Sequence, residues 1–101
     1  MALARRGSRT IEVAGVNYRW VVSPDDGSMA IVVEHEASPG QRLEAFVGYR
    51  DGGPGGGAKI SPRVVRRAIL LGLGDGWRPL ERGLSNFRLL DADARVWEDG
   101  A

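Results

Sequence analysis

Hydrophobic and polar positions alternate through the first half of this chain and then recur at helical spacing in the second. Thr10-Ile11-Glu12-Val13 alternates, and Gly15-Val16-Asn17 offers a turn. Tyr18-Arg19-Trp20-Val21-Val22 is aromatic and β-branched, with Tyr18, Trp20 and Val22 on one face, as a half-buried strand requires. Ser23-Pro24-Asp25-Asp26-Gly27 carries turn chemistry, since proline presets φ and aspartate and glycine tolerate the return. Met29 to Glu34 predicts a third strand, with Met29, Ile31 and Val33 sharing a face. Ser38-Pro39-Gly40 predicts another turn. Arg42 to Val47 predicts a fourth strand, with Leu43, Ala45 and Val47 inward and Glu44 and Phe46 outward.

The period changes after Lys59. Val64, Val65, Ala68, Ile69, Leu71 and Gly72 fall on one arc of a helix, with Arg63, Arg66, Arg67 and Leu70 opposite. Both ends are marked. The Ser61 hydroxyl can cap a free first-turn N–H, and Pro62 suits the first helical position. Gly74 or Gly76 can end the helix, and Pro79 forbids its resumption. An interior Gly72 costs helix stability, so it implies close packing. Trp77 is expected to fold back on the core edge, and Phe87 to Leu90 predicts a short last strand.

These elements imply an α+β fold: an antiparallel sheet of about four strands, one main helix packed on one face, and a short final strand. Short connections favour a meander. Residues 1–8 read as a flexible tail, 9–90 as a single domain with a glycine-rich loop at 51–58, and 91–101 as an acidic C-terminal tail. The length suits one domain with its own core.

Charge changes the picture more than composition does. Net charge is +1, but residues 59–90 carry seven bases against Asp75 and Glu81, a net +5. Residues 25–58 carry six acids against two arginines, a net −4. The helix region is thus the basic part of the chain. Arginine outnumbers lysine thirteen to one, a bias that composition alone attributes to codon usage. The absence of cysteine excludes disulfides and thiolate chemistry. The N-terminal residues lack the apolar run of a signal peptide, and no stretch reaches the length of a membrane span. A soluble cytoplasmic protein without membrane contact is expected.

Four segments, Tyr18-Arg19-Trp20-Val21-Val22-Ser23, Ile60-Ser61-Pro62-x-Val64-Val65, Gly76-Trp77-x-Pro79 and Phe87-x-Leu89, together resemble a group of short, uncharacterised bacterial proteins. The likeness covers roughly residues 10–90. It implies a complete small protein in which Trp20, Pro62 and Trp77 are architectural. It implies no catalytic residue and no activity.

Little in the sequence points to catalysis. Lys59 is separated from Ser61 by Ile60, so the glycine-rich loop lacks the Gly-Lys-Ser/Thr order of a nucleotide loop. Glu34-His35-Glu36 cannot converge, because neighbouring strand residues point to opposite faces. No Gly-x-Ser-x-Gly elbow is present. A non-enzyme without cofactor or metal is therefore expected. The candidate interaction surface is Arg63, Arg66, Arg67 and Leu70 on the outer face of the helix, with Arg78 beyond it. Arginine around an exposed leucine suits a protein partner with an acidic surface, or a second copy of the chain. The alternative is nucleic-acid binding, with Arg82 and Arg88 adding to the basic region. Trp97, in the polar tail, either docks on the domain or meets a partner.

Overall fold

A computed structural model describes residues 7–25, 28–48 and 60–96. Strands β1 (Arg9–Val13), β2 (Val16–Asp25), β3 (Ser28–His35) and β4 (Leu43–Gly48) are followed by helix α1 (Pro62–Asp75), strand β5 (Phe87–Leu89) and a short helix α2 (Ala92–Val96). The strands lie in sequential order in one sheet. The first four pair antiparallel as a meander, and β5 adds parallel to β4, with Leu43 opposite Phe87 and Ala45 opposite Leu89. The expected α+β architecture is therefore present. The expected glycine-rich loop, residues 1–6 and Trp97 lie outside the described residues.

Register follows from alternation. Tyr18, Trp20 and Val22 stand opposite His35, Val33 and Ile31, and Ile31 and Val33 stand opposite Ala45 and Leu43. One face of the sheet thereby collects Tyr18, Trp20, Ile31, Val33, Leu43, Ala45, Val47 and Leu89, all buried. A one-residue slip would turn this set to solvent, so the pairing is strongly specified. Helix α1 lies across that face with Val64, Val65, Ala68, Ile69 and Gly72 buried. Each fully buried aliphatic side chain in this layer contributes about 1.5–3 kcal/mol. The small residues bring the axis close: a Cβ on Gly72 would stand 3.0 Å from Leu43 Cδ1 and 3.3 Å from Trp77.

The caps act as the sequence implies. Ser61 is extended and its hydroxyl accepts the Val64 N–H, and Pro62 opens the helix. Gly76, with φ 115°, ends it, while Gly74 remains helical. The first hairpin turns at Ala14 and Gly15, both at positive φ, one residue before the predicted place. Paired positive-φ residues match the twist of two-residue hairpins. A larger departure is Pro24, which lies within β2 opposite Met29 instead of starting a turn. β1 reaches only as far as Trp20, so the flank of Pro24 away from β3 has no ladder to break.

The acidic tail expected from residue 91 does not describe residues 91–96. Ala92 and Val96, one helical turn apart, are buried in the core as part of α2. Arg95 fastens this turn to the end of α1 through Asp75 at 2.7 Å and also meets Asp91 at 3.3 Å. Asp75 is the last residue of α1, where a carboxylate faces the negative end of the helix dipole, and Arg95 offsets that charge.

Between α1 and β5 the chain is held down by the β3–β4 loop. Gly40 N–H donates to the Pro79 carbonyl at 2.9 Å. The Trp77 indole donates to the Gln41 carbonyl at 2.8 Å. The Gln41 side chain accepts the Arg78 N–H and donates to the Ser85 carbonyl. Trp77 is buried against Tyr18, with ring centroids 5.6 Å apart. Burial also pushes the Tyr18 phenol above its ordinary pKa.

Two tests follow from this packing. A Cβ on Gly40 would meet the Pro79 carbonyl oxygen and the Leu80 carbonyl carbon at 2.5 Å, and both are backbone atoms. Gly40→Ala should cost about 2–3 kcal/mol in urea denaturation. Gly72→Ala should cost under about 1 kcal/mol, because a helix-propensity gain offsets the pressure on the Leu43 side chain. An equal loss at both positions would refute the backbone clash. The second test concerns Asp75. Its hydrogen bond from Arg95 holds the carboxyl below its ordinary value, more than desolvation raises it. As pH falls the unfolded chain takes up this proton first, so the stabilisation is present above the ordinary carboxylate range and lost as pH drops through the lowered value. Between about pH 5 and pH 2 the urea midpoint of Asp75→Asn should fall less than that of the wild type.

Candidate functional site

The helical period places Arg63, Arg66, Arg67 and Leu70 on the side of α1 away from the sheet. Arg63 and Arg66 are exposed, Arg67 is half-buried, and Leu70 is 49% exposed. Leu73, one turn further, is 37% exposed and extends the apolar strip. The helix has no acidic residue in its first turn and no basic residue in its last, so its positive side chains gather toward the N-terminal half. Arg78 is not part of this row. It lies two residues beyond the Gly76 cap, its N–H is held by Gln41, and its guanidinium meets Glu81 at 3.2 Å.

The opposite face of the sheet carries charge that the strand pattern only partly announces. Arg19, Val21 and Ser23 stand opposite Glu34, Val32 and Ala30, with Glu44 and Phe46 on the next strand. No helix among the described residues covers this side, yet Ala30, Val32 and Glu34 are each less than 9% exposed. Charged side chains pair across this side of the sheet. Arg19 bridges Glu36 at 3.0 Å and the Ser8 hydroxyl at 3.1 Å. Arg42 meets Glu34 at 2.7 Å. Arg88 lies 5.0 Å from the centre of the Phe46 ring and 3.7 Å from Glu44, which also accepts a hydrogen bond from Asn86. Ser8, assigned to the tail by composition, is thus tied to β2.

Glu34 and Glu36 share this face, as alternation requires, but each is engaged by its own arginine. His35 points to the other side, where it lies edge-on to Tyr18 and its Nδ1 accepts the Ser38 N–H. Among the described residues no group of three or more histidine, aspartate or glutamate side chains is placed to grip a metal ion.

At one end of the charged face a cleft of about 340 Å³ opens between the β3–β4 loop and residues 82–86. Glu34, Pro39, Gly40 and Arg42 form one wall, and Arg82, Gly83, Leu84 and Asn86 the other. Glu34 is 3% exposed there, a charge this deep being tolerable only when paired. Sequence reasoning singled out neither Glu34 nor Arg42 as a pair. The available signal is the alternation itself, which puts Arg42 on the same face as Glu34 across a short loop.

No family model, curated protein or solved structure matches the chain. The class it belongs to is architectural: a small α+β domain with one main helix laid across a five-stranded, mostly antiparallel sheet. Among the described residues no helix is long and apolar enough to cross a membrane.

The Glu34–Arg42 pair generates its own test. Removing only the arginine leaves a buried carboxylate without the guanidinium that engages it, so Arg42→Ala should cost about 3 kcal/mol in urea denaturation. Replacing both, as Glu34→Leu with Arg42→Met, should recover most of that loss. A double variant as unstable as the single one would show that the pair contributes net stability of its own.

Proposed function

We propose that this protein is a non-enzymatic interaction module whose α1 outer face binds an acidic surface of a protein partner. The observation that carries this reading is Leu70, half exposed in the middle of a helix and set one turn from Arg66 and Arg67 and two turns from Arg63. A half-exposed leucine flanked on its N-terminal side by guanidinium groups suits a protein interface. Arginine serves such a surface better than lysine, because its planar fork matches a carboxylate and sheds water more readily. The inward face of α1 is already committed to the core, so the outer face can change without disturbing packing.

The experiment is affinity capture from nuclease-treated host lysate with the wild-type chain and Arg66→Glu combined with Leu70→Ser. Both substitutions are at surface positions, so stability should stay within about 0.5 kcal/mol of wild type. A protein retained by the wild type and reduced about tenfold or more by the variant supports the proposal. Equal retention by both overturns it. Recovery of the chain itself, with a dimer lost in the variant, makes the acidic partner a second copy. A steep fall with salt in fluorescence anisotropy against duplex DNA moves the reading to nucleic acid.

A further inference from the structure

We propose that the cleft beside Glu34 binds a small organic monocarboxylate, through Arg82 on one wall and an apolar surface of Pro39 and Leu84. This inference is independent of the α1 interface, which it does not use.

The argument begins with charge. The cleft walls carry Glu34, Arg42 and Arg82. Arg42 and Glu34 cancel, with Nε and Nη2 of the arginine both on Oε2 of the glutamate at 2.9 and 2.7 Å. Arg82 is exposed and reaches no carboxylate among the described residues. Among the described residues one uncompensated positive charge remains in the cleft, which suits a single negative charge and leaves a dianion half unmatched. A guanidinium fork fits the two oxygens of a carboxylate in one plane.

The second observation is the Glu34 carboxylate itself. Burying an ion pair of this kind stabilises a fold no better than apolar packing of the same volume. Here the pair lies at the wall of an opening, where it gives the cleft polarity without net charge. The third is composition. The lining is mainly polar, and Pro39, half-buried, and Leu84, 41% exposed, supply the smaller apolar part beside the guanidinium group. A volume of about 340 Å³ lies at the small end of ligand sites.

The fourth is rigidity. The two walls come from segments far apart in the chain, and the Gly40–Pro79 hydrogen bond and the Gln41 bridges to Arg78 and Ser85 fix their separation. Asn86 is likewise fixed by its hydrogen bond to Glu44. The opening is therefore pre-formed, and little ordering is needed when a ligand enters.

Nitrogen-15 NMR titration of the full chain tests this, with benzoate as probe, benzamide as its neutral counterpart and inorganic phosphate as a second anion. Benzoate should produce saturable shifts at the amides of Gly40 and Gly83, while benzamide and phosphate should not. Arg82→Ala should weaken benzoate roughly tenfold or more, and Arg82→Lys by less. The Arg66→Glu, Leu70→Ser chain should bind benzoate as the wild type does, which separates failure here from failure of the helix interface. Absence of saturable shifts with benzoate overturns the proposal. So do benzamide or phosphate shifting the same amides as strongly, and benzoate binding that Arg82→Ala leaves intact. Because Arg82 is exposed and makes no ion pair among the described residues, its variants keep a dispersed spectrum against which each outcome can be read.

Discussion

The contact of Gly40 with Pro79 is the constraint on which the second half of the molecule depends. A strand that returns parallel to its neighbour needs a long crossover, and the segment after the helix must be brought back along the sheet before pairing can start. Here that segment runs from Trp77 to Asn86 without regular structure. Its polar backbone finds partners in the β3–β4 loop: Pro79 in Gly40, Arg78 and Ser85 in Gln41, and the Trp77 indole in the Gln41 carbonyl. Only a residue without a side chain lets the two backbones meet at position 40. Phe87 then receives its first ladder bond, from its N–H to the Arg42 carbonyl, at 2.7 Å.

The same loop also relates the two sides of the sheet. On the helix side, Trp77 fills the space that Gly72 leaves and rests on Tyr18. On the opposite side, the residues just after it form the far wall of the Glu34 cleft. The apolar layer under α1 and the polar opening behind the sheet are therefore two consequences of one docked segment. Arg95 adds a separate fastening at the same, C-terminal end of α1, where it brings α2 against Asp75.

What could be read in advance and what could not divides along sequence distance. The helix was legible to its caps, because Ser61, Pro62 and the spacing of Val65, Ala68, Ile69 and Gly72 are local signals. The strands were legible from alternation, and the shared face of Arg63, Arg66, Arg67 and Leu70 follows from helical period alone. Arg78 did not join that face, because the helix had already ended at Gly76. Pro24 was misplaced because its tolerance depends on how far β1 extends, which no property of residues 23–27 reveals. α2 was hidden by acidic neighbours: composition weighed Asp91 and Asp93, while the core needed only Ala92 and Val96. The cleft was the least legible feature. Its two walls are about half a chain apart, and nothing near Pro39 or Leu84 signals that they meet.

Charge on the side of the sheet opposite α1 governs how two such surfaces can meet. Among the described residues no helix lies on one surface of the five-stranded sheet, and two sheet surfaces can stack as a sandwich. Stacking here would strip water from Arg19, Arg42, Arg88, Glu36 and Glu44, whose charges are already satisfied within one chain and have nothing to gain from a twin. Desolvating them costs more than the small apolar area of Val32, Ala30 and Phe46 returns. The arginine–glutamate lattice therefore disfavours the stacking of this surface on a like one.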